Sequence, residues 1–109
     1  MWVRNGNLAG VKLIWNTAMS WVKSLNYGGY SDWRLPTKEE LESFADRGGR
    51  HPSEWLNSNG FQKVSKGYYW TSSIYDTVYP WNVYMETGAV GHEYDKSYDF
   101  YVWPVRSGR

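Results

Sequence analysis

Four carboxylates in the C-terminal part of the chain have the chemistry that binds a divalent cation. They are Asp76, Glu93, Asp95 and Asp99. Hard oxygen ligands of this kind suit Ca²⁺, which takes roughly six to eight of them. The more ordinary interpretation is that they are solvated carboxylates of surface loops. Calcium is therefore the weaker of two hypotheses, and zinc held by His92, Glu93 and Asp95 is weaker still because their spacing matches no structural zinc motif.

Serine-based catalysis has little support in the sequence. A nucleophilic serine needs a general base within hydrogen-bonding reach, and the chain has two histidines, His51 and His92. Neither lies in a recognisable catalytic motif. With no cysteine in the chain, disulfides, thiolate metal sites and cysteine nucleophiles are excluded. We therefore expect a protein that is not an enzyme and needs no cofactor.

Aromatic residues are the most informative feature of the composition. The 109 residues include eight Trp, ten Tyr and three Phe. A domain of this size buries roughly two thirds of its unfolded surface, so one core cannot take all of these rings. A tyrosine at the surface offers a face for stacking and a hydroxyl for hydrogen bonding. We predict a ligand-binding surface formed by Tyr75, Asp76, Tyr79, Tyr84, Tyr94, Asp95, Tyr98, Asp99, Tyr101 and Trp103.

Charge and hydropathy exclude two other classes of partner. The formal net charge is +1 and the charges are mixed along the chain, so no basic stripe indicates nucleic-acid binding. The apolar runs are shorter than the ~20 residues that a membrane span needs. The first residues, Met1 to Gly6, lack the apolar core of a signal peptide. We expect one domain over residues 1–109, excised from a larger protein or forming its C-terminal module.

The first half of the chain has mainly helical patterns. Ala18, Trp21, Val22 and Leu25 recur at helical spacing after an expected cap at Asn16 or Thr17. A second helix has a stronger start, because Thr37 and Glu40 form a capping box. Its buried stripe is expected at Leu41, Phe44 and Ala45. One more helical turn is expected at residues 52–56, and short strands are expected at residues 2–5 and 11–15.

From Tyr68 onwards the pattern has the period of a strand. Trp81, Val83 and Met85 are expected on one face, and Asn82, Tyr84 and Glu86 on the exposed face. Thr87-Gly88 predicts a turn to a partner strand over residues 89–94. A last strand is expected over residues 100–105, at an edge because Pro104 has no N–H. Helices first and strands later predict an α+β fold, with two helices packed on a twisted antiparallel sheet.

Three sequence blocks resemble the C-terminal domain of the Legionella collagen-like adhesin and its relatives. They are GGYSDWRLPTKEEL from Gly28, YYWTSSIYD around Trp70, and YVWPVRSG from Tyr101 to Gly108. The resemblance implies a C-type-lectin-like fold with adjacent N- and C-terminal strands, and an extracellular or cell-envelope location. It implies adhesive binding of a glycan or a cell-surface protein, and a trimer as in the adhesin that names the family. It also makes Trp33 and Arg34 structural residues. Thr37 and Glu40 of the capping box and Trp70 of the expected central strand are predicted to be structural from the local pattern.

Two departures bear on the ligand. Trp103 stands where the family usually has arginine, which removes a cation that a sulfated polysaccharide would use. Tyr79-Pro80-Trp81-Asn82 matches the calcium-binding elements of many C-type lectins only in part, and Val83 stands in place of the second acidic residue.

The resemblance also leaves other functions open. A protein-binding receptor on the same surface is the alternative, including the variable receptors made by diversity-generating retroelements, since residues 94–99 are rich in Tyr, Asp and Ser. An enzyme related to formylglycine-generating proteins ranks last, because those proteins need cysteines or metal ligands that this chain lacks.

Overall fold

The chain folds into three helices and two antiparallel sheets, in a computed structural model that describes residues 2–107. The predicted α+β class is confirmed, with three helices in place of two. In chain order the elements are β1 Leu13–Ile14, α1 Trp15–Ser24, α2 Lys38–Asp46, α3 Pro52–Ser58, β2 Tyr68–Asp76, β3 Tyr79–Tyr84, β4 Ala89–Gly91 and β5 Asp99–Phe100. The additional helix is α3, where the sequence predicted a single turn. Pro52 at its first position fits a helix start, because proline has no N–H and the N–H of the first helical residue would have no partner within the helix.

The larger sheet is a three-stranded meander in the order β2-β3-β4. Its register pairs Tyr69 with Val83 and Trp70 with Asn82, and it becomes irregular between Trp70 and Ile74. Beyond that point β2 runs into solvent, and the hairpin closes where Asp76 pairs with Tyr79. β4 ends at Gly91, three residues before the predicted end at Tyr94. The outer half of the hairpin therefore projects from the body of the domain.

The N- and C-terminal segments lie side by side, as predicted. Trp2 and Val105 form an antiparallel bridge, and the Val3 N–H donates to the Pro104 carbonyl at 3.3 Å. The continuous strands predicted over residues 2–5 and 100–105 are replaced by isolated bridges and by the short β1–β5 pair. Pro104 contributes to this because it cannot donate to a ladder. Gly108, the last residue of the YVWPVRSG block, lies outside the described residues.

Trp103 lies at the centre of the core, so its prediction as a ligand-binding residue is wrong. Its exposed fraction is 0%, and its indole N–H donates to the Val3 carbonyl at 2.6 Å. Four aromatic rings surround it at centroid distances of 5.0 to 5.8 Å: Trp2, Phe44, Phe61 and Tyr69. Edge-to-face packing of this kind stabilises aromatic cores beyond the area they bury.

Asn82 is also buried, against the prediction from strand alternation. Its exposed fraction is 1%. Residues that pair directly in an antiparallel sheet share a face, and the partner of Asn82 is Trp70, which is fully buried and packs on Phe100 at 4.5 Å. β5 therefore covers the face that was expected to be solvated. On the other face Val83 is buried near α2, so the middle of β3 is covered on both sides.

The start of α1 differs from the prediction. The helix begins at Trp15 with Ile14 at the N-cap, and no side chain caps it; Asn16 and Thr17 lie within the helix. The Trp15 indole N–H donates to the Thr71 carbonyl at 2.9 Å. A tertiary contact to β2 thus positions the first turn, which local capping preferences alone do not predict.

The capping box predicted at the start of α2 forms. The Glu40 N–H donates to the Thr37 hydroxyl at 3.2 Å, and the Thr37 N–H donates to the Glu40 carboxylate at 2.8 Å. Pro36 and the extended geometry of Thr37 lead into this turn. Two N–H groups that the helix leaves without partners are thereby satisfied.

Replacing Thr37 by alanine is expected to lower the free energy of unfolding by about 1 kcal/mol, because the Glu40 N–H loses its acceptor. Urea denaturation followed by circular dichroism measures the change. Ser43→Ala, at an exposed position within the same helix, is the control. An unchanged midpoint for Thr37→Ala would contradict a stabilising role for the cap.

The Glu40 carboxylate also binds Arg34. The guanidinium donates two hydrogen bonds to it, at 2.7 and 2.8 Å, and donates to the Ser107 hydroxyl at 2.9 Å. The backbones of Arg34 and Val105 exchange two hydrogen bonds. The hydrogen bonds from Arg34, with a smaller contribution from the Thr37 N–H, lower the pKa of Glu40 from 4.5 to about 2. The Glu40 carboxylate of α2 is therefore connected to the C-terminal segment through Arg34.

Acid is expected to weaken this junction. The pKa of Glu40 is lower in the folded state, so its contribution to stability is complete above about pH 4.5 and is lost as the pH falls towards about 2. The unfolding midpoint in urea, measured between pH 6 and pH 2.5, should fall more for the native chain than for Glu40→Gln. The difference should be modest because the pair is partly exposed to solvent. Identical pH profiles would contradict the assignment.

Candidate functional site

The predicted binding tyrosines separate into two clusters. Tyr75 and Tyr79 lie on the projecting hairpin beside an open pocket of about 330 Å³. Tyr84, Tyr94 and Tyr98 form a second cluster with Tyr68 and Phe100. We call the first of these the hairpin pocket; it is lined by Tyr75, Asp76, Tyr79, His92 and Glu93.

A stacked aromatic group forms one wall of the hairpin pocket. The rings of Tyr75 and His92 are nearly parallel, with centroids 3.7 Å apart. Trp81 meets the His92 ring edge-on at 4.6 Å, and the Lys38 ammonium lies 4.8 Å from the centroid of Trp81. Tyr75 is 58% exposed and Tyr79 is 39% exposed. The contacts to Trp81 hold the base of the group, and the outer tyrosine faces remain available to a ligand.

The charged side chains of the hairpin pocket are two carboxylates. Asp76 and Glu93 contribute carboxylates, and the Asp76 carboxylate accepts from the Thr77 N–H at 2.7 Å. The residues that line this pocket, all within the described chain, include no Lys or Arg. An aromatic face beside two carboxylates suits a ligand with hydroxyl donors and apolar C–H groups. It disfavours a ligand rich in sulfate, because the negative charges repel.

The second cluster is more deeply packed. Tyr68 stacks on Tyr84 at 4.5 Å and on Phe100 at 5.1 Å. Its hydrogen bond with Tyr94 and its loss of solvation raise the pKa of Tyr68 to about 12. The Tyr84 hydroxyl donates to Glu86 at 2.8 Å, and this bond raises the pKa of Tyr84. Tyr98, 48% exposed, forms the outer edge of this cluster.

The remaining predicted site residues lie apart from the hairpin pocket. Tyr101 is partly buried; its ring packs on Tyr69 at 5.4 Å. The Asp95 carboxylate accepts from the backbone N–H and the hydroxyl of Ser97, and these bonds lower its pKa. Asp99 pairs with Ile14 in the small sheet. Asp95 thus holds a local turn, and Tyr101 contributes to packing.

The carboxylates do not assemble into a cation site. Among residues 2–107, no three His, Asp or Glu side chains are placed to hold one metal ion. The hypothesis that Asp76, Glu93, Asp95 and Asp99 form a calcium site is therefore not supported by the geometry, nor is zinc held by His92, Glu93 and Asp95. The hairpin pocket has two carboxylates and the aromatic wall as its recognition groups.

His92 and Trp81 belong to the aromatic wall of the pocket, a role that the sequence alone does not predict. His92, which the sequence offers as a candidate base or zinc ligand, stacks on Tyr75 and meets Trp81 edge-on. Trp81 was placed with Val83 on one face of β3, and it is the partly exposed base of the aromatic group. The alternation of Tyr79 and Trp81 along one strand is the pattern that predicts their shared face.

The hydroxyls of the YWTSS segment satisfy neighbouring backbone groups. The Thr71 hydroxyl donates to the Trp81 carbonyl at 2.8 Å, and Ser72 donates to the Pro36 carbonyl at 3.3 Å. The Ser73 hydroxyl accepts from the Lys38 N–H at 2.9 Å. The Trp70 indole donates to the Leu13 carbonyl at 2.8 Å. These residues connect β2 to β1, α2 and β3.

The model of the Lcl C-terminal domain family matches residues 1–106 of the chain. The chain belongs to this family. No curated protein matches it. In this Lcl C-terminal domain the blocks that carry the resemblance contact each other. The backbones of Arg34 and Val105 form hydrogen bonds with each other, and the Ser72 N–H donates to the Pro36 carbonyl. Asp32 and Arg106 form an ion pair at 2.7 Å.

The Lcl C-terminal domain also contains the buried Trp33, whose indole donates to the Tyr27 carbonyl at 3.1 Å. No helix within residues 2–107 has the length and apolar character required to cross a membrane. Of the residues that line the hairpin pocket, Tyr75 and Asp76 end the YYWTSSIYD block, and Tyr79, His92 and Glu93 lie outside the three blocks.

Proposed function

We propose that this Lcl C-terminal domain is a non-catalytic, adhesin-type domain that recognises glycans through the hairpin pocket. The observation that carries the proposal is the exposed face of Tyr75, stacked on His92 and next to the carboxylates of Asp76 and Glu93. A C-type-lectin-like fold and an extracellular or cell-envelope location belong to the same proposal and rest on the family.

The pocket chemistry favours a neutral or amino sugar. The C–H face of a pyranose packs on an aromatic ring, and its hydroxyls donate to carboxylates with stronger hydrogen bonds than neutral acceptors give. A ring fixed by stacking loses little conformational freedom when a ligand binds. A preference for sulfated chains is not supported here, since no Lys or Arg among the described residues lines the pocket.

A glycan array that includes neutral, amino and sulfated saccharides tests the proposal. We expect binding of neutral or amino sugars, equal in calcium and in EDTA because the tyrosine face needs no metal. Binding that EDTA abolishes would contradict a metal-free site. A preference for sulfated chains would contradict the charge argument, and no binding under either condition would contradict glycan recognition.

A further inference from the structure

The chain contains two Asn-Gly pairs, Asn5-Gly6 and Asn59-Gly60. An asparagine followed by glycine is chemically reactive, because the backbone nitrogen of the next residue can attack the side-chain amide carbon. Glycine favours the attack, since it has no Cβ to hinder the approach and its backbone rotates easily. The surroundings of the two pairs differ, so the fold decides which of them reacts.

The first pair is held within the body of the domain. Gly6 is buried, and its N–H donates to the Gln62 carbonyl at 2.7 Å. A Cβ atom on Gly6 would lie 2.9 Å from Val64, so the backbone there has little room to rotate. The Asn5 side chain accepts a hydrogen bond from the Asn7 N–H at 2.8 Å. Attack by the Gly6 nitrogen therefore requires packed and hydrogen-bonded structure to open.

The second pair lies at the C-terminal end of α3. Both residues are exposed, and the Gly60 N–H makes no hydrogen bond within residues 2–107. A Cβ atom on Gly60 would meet no atom within 4 Å, so the space around this residue is open. Two hydrogen bonds of exposed side chains restrain the pair, from Asn59 Nδ2 to the Trp55 carbonyl at 2.7 Å and from Arg4 Nε to the Gly60 carbonyl at 2.9 Å. A local rotation of the exposed turn therefore brings the reacting atoms together without opening the core.

We infer that Asn59 is a site of spontaneous deamidation. The Gly60 nitrogen, once it has lost its proton to solvent, attacks Asn59 Cγ; the Cγ–Nδ2 bond breaks and ammonia leaves, which forms a cyclic succinimide. Water then opens one of the two C–N bonds of the ring. Cleavage at Cγ gives aspartate, and cleavage at the main-chain carbonyl gives isoaspartate. The net reaction consumes one water and releases one ammonia, so it needs no enzyme or cofactor.

Either product weakens the end of α3. The last carbonyl groups of a helix lack backbone partners, and the Asn59 amide supplies one to Trp55. A carboxylate cannot donate, and its negative charge is unfavourable at the C-terminal end of a helix. Isoaspartate also adds a methylene group to the main chain shortly before Phe61, whose ring packs edge-on against Phe44 at 5.1 Å and Trp103 at 5.8 Å. The modification therefore acts on the aromatic core as well as on α3.

Peptide mapping by mass spectrometry tests the inference, on the whole chain incubated at mildly alkaline pH. In the folded chain we expect Asn59 to deamidate at least about tenfold faster than Asn5, because local opening of buried contacts costs free energy that an exposed turn does not require. Asn26 is a second internal control: it is exposed, but Tyr27 follows it, so it should also react more slowly than Asn59. In guanidinium chloride the rates at Asn5 and Asn59 should become similar, since both precede glycine.

Two variants separate the reaction from its consequence. Asn59→Gln keeps a side-chain amide, but glutamine would have to close a larger ring, so deamidation at this position should be lost. Asn59→Asp has the aspartate product in place from the start, and its unfolding midpoint in urea should lie below that of the native chain. Ageing should lower the midpoint of the native chain in the same direction and should lower that of Asn59→Gln less.

The folded and denatured measurements together decide the question. Equal rates at Asn5 and Asn59 in the folded chain would overturn the structural argument. Reaction at both positions in guanidinium chloride and at neither in the folded chain would overturn the inference, because the hydrogen bonds of the turn would then protect Asn59. An unchanged midpoint for Asn59→Asp and for the aged native chain would overturn the predicted effect on α3.

Discussion

Replacing Trp103 by alanine is expected to remove a large part of the stability of the domain. Trp103 is 0% exposed and is surrounded by aromatic rings. Its truncation is therefore expected to lower the free energy of unfolding by about 3–5 kcal/mol. The total free energy of unfolding of a small domain is only ~5–15 kcal/mol. Guanidinium denaturation followed by tryptophan fluorescence and far-ultraviolet circular dichroism measures the loss.

Trp103→Phe is the matched control for the ring. It keeps an aromatic side chain and removes the indole N–H, so the Val3 carbonyl loses its donor from position 103. An intermediate cost of about 1–3 kcal/mol follows from that lost hydrogen bond and the smaller ring. If Trp103→Ala instead left the midpoint unchanged and abolished glycan binding, Trp103 would belong to the ligand surface.

The double substitution Tyr75→Ala, Tyr79→Ala is expected to abolish glycan binding and leave the fold intact. Each ring is exposed enough that truncation should change the free energy of unfolding by less than ~0.5 kcal/mol. Truncating a central aromatic contact typically costs about 2 kcal/mol of binding. Two such losses correspond to at least about a hundredfold weaker affinity. Calorimetry with the strongest ligand from the array, and thermal melting, give the two measurements.

Tyr98→Ala is the control for this experiment. It removes a tyrosine of similar exposure that lies outside the hairpin pocket, and it should change affinity by less than about threefold. A reversed result, in which Tyr98→Ala abolishes binding and the double variant does not, would move the site to the second tyrosine cluster. A melting temperature that collapses in the double variant would show that the hairpin rings stabilise the fold.

Local chemistry predicts some elements of this fold well. The capping box at Thr37 and Glu40 lies within four residues, so the sequence alone contains all of its partners. The α+β class follows from the change of hydrophobic period at Tyr68. The start of α1 was not predictable in the same way, because the contact that positions Trp15 comes from Thr71, 56 positions further along the chain.

Burial was the harder property to predict. A tryptophan has the same chemistry in a core and on a binding surface, and Trp103 is fixed by Val3, 100 positions away. Strand alternation assumes that one face of a sheet meets solvent. Phe100 of β5 packs on Trp70, the cross-strand partner of Asn82, and α2 packs against β3, so the pattern failed at Asn82. At the site, Tyr75, Asp76 and Tyr79 are close in sequence and were predicted together, whereas His92 joins them only through the fold of the hairpin and β4.

The contacts among the sequence blocks of the family have a consequence for protein engineering. Those blocks hold each other through Arg34, Glu40, Val105 and Ser72. The pocket is formed by the exposed end of the YYWTSSIYD block, Tyr75 and Asp76, together with Tyr79, His92 and Glu93 outside the blocks. Recognition loops of this kind can be exchanged while the frame stays constant, as in antibody variable domains. On the proposed function, grafting residues 74–79 and 92–93 onto another member of the family should transfer the ligand preference.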